Sequence, residues 1–188
     1  MTSLDRYKDI FRVKTNRLHA WDYRSSGYYF VTICVKDRQC ILGEIKNGHS
    51  ILSEIGRIVE KCWHGIPNHF GNVQIDEFVV MPNHVHGIVH IKNNIHHNRR
   101  DVINHVSTKI LNPTPMGTGH LGEIIRWFKG RSSFEIHKIN NTFQWQPRYY
   151  DHVIRNEKTL YAIREYIRYN PLKWHTDEEN PTLHKDEG

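Results

Sequence analysis

Residues 81–90 read MPNHVHGIVH, three histidines within one short apolar run. An unpaired imidazole buried in such a run is costly, so each ring needs a partner. A metal, a hydrogen-bonded core network and a nucleic-acid backbone are the three candidates. Side chains alternate across a strand, so His84 and His86 project from one face, about 7 Å apart along the backbone. Val85, Val89 and Ile91 face the other way, as core residues would. Two imidazoles at i and i+2 bind one divalent cation when a third ligand arrives from another segment. His90 shares their face but lies about 13 Å beyond His86 by the same rise, too far for the same ion. A histidine-triad hydrolase would need a histidine where Ile88 stands, so that class fits poorly. The His-x-His pattern alone also suits satisfied core or surface histidines.

The flanking sequence gives the run its place in a fold. VQIDEFVVM (73–81) reads as a strand, Pro82-Asn83 as a tight turn and HVHGIVHI (84–91) as its hairpin partner. Upstream, YYFVTICV (28–35) is β-branched and aromatic, a further strand. SILSEIGRIVEKCWHGI (50–66) carries Ile51, Ile55, Ile58, Val59 and Cys62 at helical spacing, and Pro67 and Gly71 break the chain after it. LGEIIRWFKGRSSFEIHKI (121–139) predicts a helix with Ile124, Ile125 and Phe128 inward. Gly130 costs it about 1 kcal/mol and invites a bend. FQWQPRYYDHVI (143–154) leads from a loop into a short extended segment. NEKTLYAIREYIRYN (156–170) predicts a helix capped by Asn156, with Glu157 in its first turn, and stopped by Pro171. The order β-α-β-β-α-β-α predicts an α+β fold, a ferredoxin-like or RRM-like antiparallel sheet with helices packed on one face.

Composition bounds the rest. A chain of 188 residues with 38% hydrophobic content predicts one domain with decorations. Residues 1–22 read as a basic arm containing Arg6, Lys8, Arg12, Lys14 and Arg17. The domain is expected over 23–174, interrupted by a polar, flexible insertion at 92–119. The tail 175–188 holds five acidic residues and one lysine, a net of −4 that leaves +10 on the first 175 residues of a chain whose total is +6. That asymmetry points to a polyanion such as DNA or RNA, with the tail a competitor for the same groove, or else to ordinary solubility charge. Cys34, Cys40 and Cys62 form no C-x-x-C and are odd in number, which argues for reduced thiols. No run approaches the roughly 20 apolar residues of a membrane helix, and the first residues lack a signal peptide's apolar stretch. A cytoplasmic protein is expected.

The last predicted helix supplies a partner for the histidines. Tyr166 and Asn170 are four residues apart and share one face. A phenol is a poor nucleophile at its free pKa near 10, and becomes useful beside a metal that neutralises developing charge. Ile163, Tyr166 and Ile167 equally make a plain core stripe.

VVMPNHVHGIV (79–89), followed by WQPRYYDHVIRNEKTLYAIREYIRYNPLKW (145–174), resembles the single-tyrosine HUH transposases, above all their REP-associated branch, whose members bind short palindromic repeats. The resemblance runs from about Tyr23 to Trp174 apart from the insertion, and its C-terminal block is far more specific than His-x-His. It implies that His84 and His86 bind Mg²⁺ or Mn²⁺ and that Tyr166 is the nucleophile. Asn170 falls where related enzymes carry a third ligand, often Gln. Tyr169, the rival nucleophile, points off the Tyr166–Asn170 face. The implied activity is cleavage and strand transfer on single-stranded or hairpin DNA through a 5′-phosphotyrosine, by a monomer or a homodimer. Asp151 and His152 read as supporting residues and Tyr149 and Tyr150 as base-stacking platforms. Arg126, Lys129 and Arg131 are candidate phosphate contacts, and the basic arm could add more. Two other readings stay open: a non-catalytic hairpin-binding module, and a metal-dependent phosphodiesterase in which water attacks and Tyr166 only packs.

Overall fold

A computed structural model describes residues 25–92 and 119–181. The basic arm expected over 1–22, most of the 92–119 insertion and the tail beyond residue 181 lie outside the described residues. In chain order the elements are β1 (Gly27–Cys34), the hairpin β2 (Gly43–Lys46) and β3 (His49–Leu52), α1 (Glu54–His64), the short α2 (Ile66–His69), β4 (Val73–Val80), β5 (His84–Ile91), α3 (Leu121–Ile136), β6 (Tyr150–Ile154) and α4 (Glu157–Tyr169). A 3₁₀ turn, Pro171–Thr176, follows α4.

Four strands form one antiparallel sheet in the order β4-β5-β1-β6. With β2 and β3 set aside as a separate ribbon, this is the β-α-β-β-α-β path of the expected α+β class. The central strands β1 and β5 are buried along almost their whole length. On one face Tyr29, Val31, Ile33, Val85 and Val89 pack against Val59 and Trp63 of α1 and Ile124 and Phe128 of α3. On the other, Phe30 and Ile88 pack against Leu160, Ile163 and Ile167 of α4. The helices therefore divide between the two faces rather than sharing one. The physical reason is that both side-chain sets of β1 are apolar, so each face must be covered.

The β2–β3 hairpin was not among the expected elements. Its turn is Asn47-Gly48, both with left-handed φ (51° and 74°), the residues a tight hairpin turn favours. Because Ser50–Leu52 pair in β3, α1 starts only at Glu54, where the Ser53 hydroxyl accepts from Gly56 N–H at 3.1 Å. α3 runs unbroken through the exposed Gly130, without the expected interruption. Gly87 lets α1 lie close to the sheet: a Cβ there would stand 2.3 Å from Trp63 Cζ2. Among the described residues no helix is long and apolar enough to cross a membrane.

Candidate metal and tyrosine site

The β4–β5 turn sets up the site. The Asn83 side-chain amide donates to the carbonyls of Arg38 (3.1 Å) and Glu179 (2.6 Å). With both amide hydrogens engaged, Asn83 Oδ1 must accept, and it lies 2.8 Å from His84 Nδ1. His84 therefore carries its proton on Nδ1 and turns the lone pair of Nε2 inward. That nitrogen lies 3.0 Å from His86 Nε2, while His86 Nδ1 meets the Thr32 hydroxyl at 2.9 Å. Thr32 is the direct cross-strand partner of His86. Both rings are buried, 0% and 3% exposed. Burial, helped by Arg38, holds the His84 pKa down to about 3. Burial and then the neighbouring His84 hold His86 well below the usual imidazole range. Both are neutral at pH 7, the form that ligates metals.

α4 brings the tyrosine to this pair. Ile163 and Ile167 anchor the helix on Phe30 and Ile88, so Tyr166, on the same face, reaches His86 with its hydroxyl 3.3 Å from Nε2. Burial raises the phenol pKa, nearby Asp177 adds to the rise, and a hydrogen bond from Asn170 opposes it. Asn170, 3% exposed, has an Oδ1 that is buried with no hydrogen-bond partner. Such an acceptor is costly unless something completes it. The 3₁₀ turn then folds the chain back, and the ligand atoms of His84, His86 and Asp177 all come within 4.8 Å of one another.

These residues fit a divalent cation. Two nitrogens about 2.1 Å from one ion and roughly at right angles to each other lie about 3.0 Å apart, the spacing seen here. The Asp177 carboxylate, and the unpartnered amide oxygen of Asn170 one turn from Tyr166, would complete a mixed nitrogen and oxygen set.

His84, His86, Tyr166 and Asn170 are thus brought together. His90 is elsewhere, stacked on Tyr28 with ring centroids 4.0 Å apart. Tyr169 is 49% exposed, off the site. Arg126, Lys129 and Arg131 belong to α3, on the opposite face of the sheet. Lys129 is held by the carbonyls of Gln146 (2.7 Å) and Arg148 (2.9 Å), and burial moves its pKa down to about 8. Arg131 pairs with Glu135 at 2.5 Å on its own helix. Tyr150 sits on β6 in register with Thr32, edge-on to Phe30, its pKa pushed up to about 12 by burial. Tyr149 lies beside Lys129, whose ammonium is 5.8 Å from its ring centre.

Asp177 and Asn83 are the site residues that the sequence pattern did not single out. Asn83 read only as a turn former, and Asp177 as one charge of an acidic tail. Neither has a periodicity that could have marked it.

No family model matches the chain. An uncharacterized protein of Haemophilus influenzae is 39% identical over 170 residues, covering 90% of this chain and 93% of that one. A second H. influenzae protein, provisionally named a REP-associated tyrosine transposase, is 24% identical over 152 residues, 81% of this chain and 74% of that one. The solved structure of a REP-associated tyrosine transposase bound to a REP hairpin shares the fold, with a TM-score of 0.54 over 79% of this chain and 68% of that chain, at 21% identity. Fold and site together define an α+β sheet that carries a buried histidine pair beside a helix-borne tyrosine. In sequence the chain resembles a protein named as a REP-associated tyrosine transposase, and it shares the fold of a solved one.

Proposed function

We propose that the protein is a metal-dependent, single-stranded DNA endonuclease and strand transferase that acts on hairpin or palindromic DNA through Tyr166. The observation that carries this reading is the 3.3 Å approach of the Tyr166 hydroxyl to His86 Nε2, beside His84 and Asp177 and with Asn170 hydrogen-bonded to the same hydroxyl. His84 and His86 would hold the ion, with Asp177 and Asn170 as candidate oxygen donors. Mg²⁺ or Mn²⁺ bound there supplies charge neutralisation at the scissile phosphate.

The chain's own residues do the rest. Asn83 and Thr32 fix the two ring orientations, an arrangement that keeps both Nε2 atoms aimed inward. Asn170 donates to the Tyr166 oxygen, which favours its ionised form against the burial that opposes it. The Tyr166 oxygen forms a bond to phosphorus as the bond from phosphorus to the 3′ oxygen breaks. One fragment leaves with a 3′-OH, and the other stays on Tyr166 as a 5′-phosphotyrosine. Attack by a 3′-OH on that linkage restores a phosphodiester and the free phenol, so no nucleotide cofactor is needed. A relative of this chain is bound to a REP hairpin, and the +10 charge of the first 175 residues suits the same class of ligand here.

The test is a denaturing gel with end-labelled hairpin DNA and Mn²⁺, comparing the wild type with Tyr166→Phe and His84→Ala. A covalent adduct lost in both variants is expected. Cleavage with no adduct would replace this reading with hydrolysis, and binding with neither would leave a hairpin-binding module.

A further inference from the structure

Between β1 and β2 the chain makes a turn at Lys36–Arg38 in which two successive non-glycine residues, Asp37 and Arg38, have left-handed φ of 55° and 52°. Backbone of this kind is costly, and it persists only where its surroundings over-determine it. Here the surroundings are the site itself. The Arg38 carbonyl accepts from Asn83, the residue whose Oδ1 orients His84. The turn thus ties Arg38 to the metal-ligand strand and directs its guanidinium to the same edge of the site. Its positive charge is felt at His84.

The guanidinium does not stand empty. Its Nε lies 2.9 Å from Glu179 Oε2, and one terminal nitrogen lies 3.5 Å from the Glu178 carbonyl. Glu179 Oε2 also accepts a long bond, 3.6 Å, from the Cys34 thiol. The Arg38 side chain is 40% exposed, so this ion pair is open to water and weak. A weak pair gives no return for a strained turn. The planar fork of arginine takes a carboxylate and a phosphate in the same bidentate manner, so a phosphate can replace the carboxylate at this position.

We infer that Arg38 is a phosphate-binding residue, placed by its strained turn to hold a DNA phosphodiester beside His84, and that the Glu179 carboxylate fills that position when DNA is absent. The inference rests on the proposed function only in taking DNA as the source of the phosphate. It adds a cation on the β1–β2 turn, on the tyrosine side of the sheet, whereas the phosphate contacts expected from the sequence lie on α3.

The test reads binding alone. Fluorescence anisotropy of a labelled palindromic hairpin with a single-stranded 5′ flank is followed in EDTA across a salt series, using the full chain. Loss of one phosphate contact weakens binding about tenfold at low salt and lowers the slope of log K against log salt by about 1. Arg38→Gln is expected to do both. Arg38→Lys is expected to keep the slope and recover part of the affinity. Glu179→Gln is expected to tighten binding, and it carries the test if Arg38→Gln fails to fold. Unchanged affinity and slope in a folded Arg38→Gln, no tightening in Glu179→Gln, or a wild type that binds no hairpin would each overturn the inference. A wild type that binds but forms no adduct with Mn²⁺ overturns the transferase reading and leaves Arg38 in place. Normal adduct formation with unaltered binding in Arg38→Gln does the reverse.

Discussion

Arg164 of α4 grips Asp76 of β4 through two parallel hydrogen bonds, Nε to Oδ1 at 2.8 Å and Nη2 to Oδ2 at 2.6 Å. One turn further on, Arg168 reaches Glu77 at 2.8 Å. Consecutive strand residues normally face opposite sides. These two serve the same helix because the β4–β5 pairing is irregular between Ile75 and Phe78. The irregularity thus helps to set the position of α4, and with it that of Tyr166.

Breaking this grip should cost stability in a pH-dependent way. Hydrogen bonding to Arg164 holds the Asp76 carboxyl below the usual carboxylate range. A depressed folded value means that the stabilisation is complete above the unfolded carboxylate value, near 3.9, and is lost as pH falls below it. Asp76→Asn is therefore expected to lower stability by about 1 kcal/mol at pH 7, discounted because Arg164 is a third exposed. Urea unfolding at several pH values checks this: the gap between wild type and variant should hold steady down to about pH 4 and close below it.

Metal affinity should depend on a residue that is not a ligand. Asn83→Ala leaves His84 in place but frees its ring to turn, and loss of such a partner typically costs about 10–100-fold in affinity. Calorimetric titration with Mn²⁺ should show that loss. His84→Ala and His86→Ala should bind more weakly still, and Asn170→Ala and Asp177→Asn should each weaken binding. Wild-type affinity in Asn83→Ala would show that the network does not orient the ring.

Tyr166→Phe should remove the chemistry and little else. Covalent adduct and strand cleavage are expected to fall roughly a thousandfold or more, since the attacking oxygen is gone. Thermal stability should move by no more than about 1 kcal/mol, because the ring and its packing on Phe30 are kept.

Lys129 offers a sharper contrast. Its ammonium holds the 146–148 segment against α3, next to Trp145, whose indole N–H donates to Ser132 at 2.9 Å. Lys129→Gln is expected to reduce stability by about 1–2 kcal/mol while changing hairpin affinity by less than about twofold. A large loss of affinity in a variant of normal stability would make Lys129 the phosphate contact expected from the sequence.

Gly87→Ala tests how tightly α1 meets the sheet. The added methyl would stand 2.3 Å from Trp63 inside the core, so backbone or indole must shift. A loss of about 2–3 kcal/mol is expected by chemical denaturation, typical of an overpacked interior.

Much of the architecture was legible along the chain. β1, β4 and β5 are rich in β-branched and aromatic residues, and α4 begins after an Asn156 whose side chain caps Thr159 N–H at 2.8 Å. The His84–His86 pair and the Tyr166–Asn170 face follow from the two periodicities of strand and helix, which act over a few residues and need no partner. The tertiary structure decided what lay beyond that range. That α4 covers the face opposite α1 and α3 depends on how two apolar sheet surfaces share three long helices, which no single segment encodes. That Asp177 meets His84, and Arg38 meets Glu179, depends on a 3₁₀ turn after Asn170 and on a strained turn after β1. Contacts of this kind join residues about a hundred or more positions apart, and only the folded backbone brings them within reach of one another.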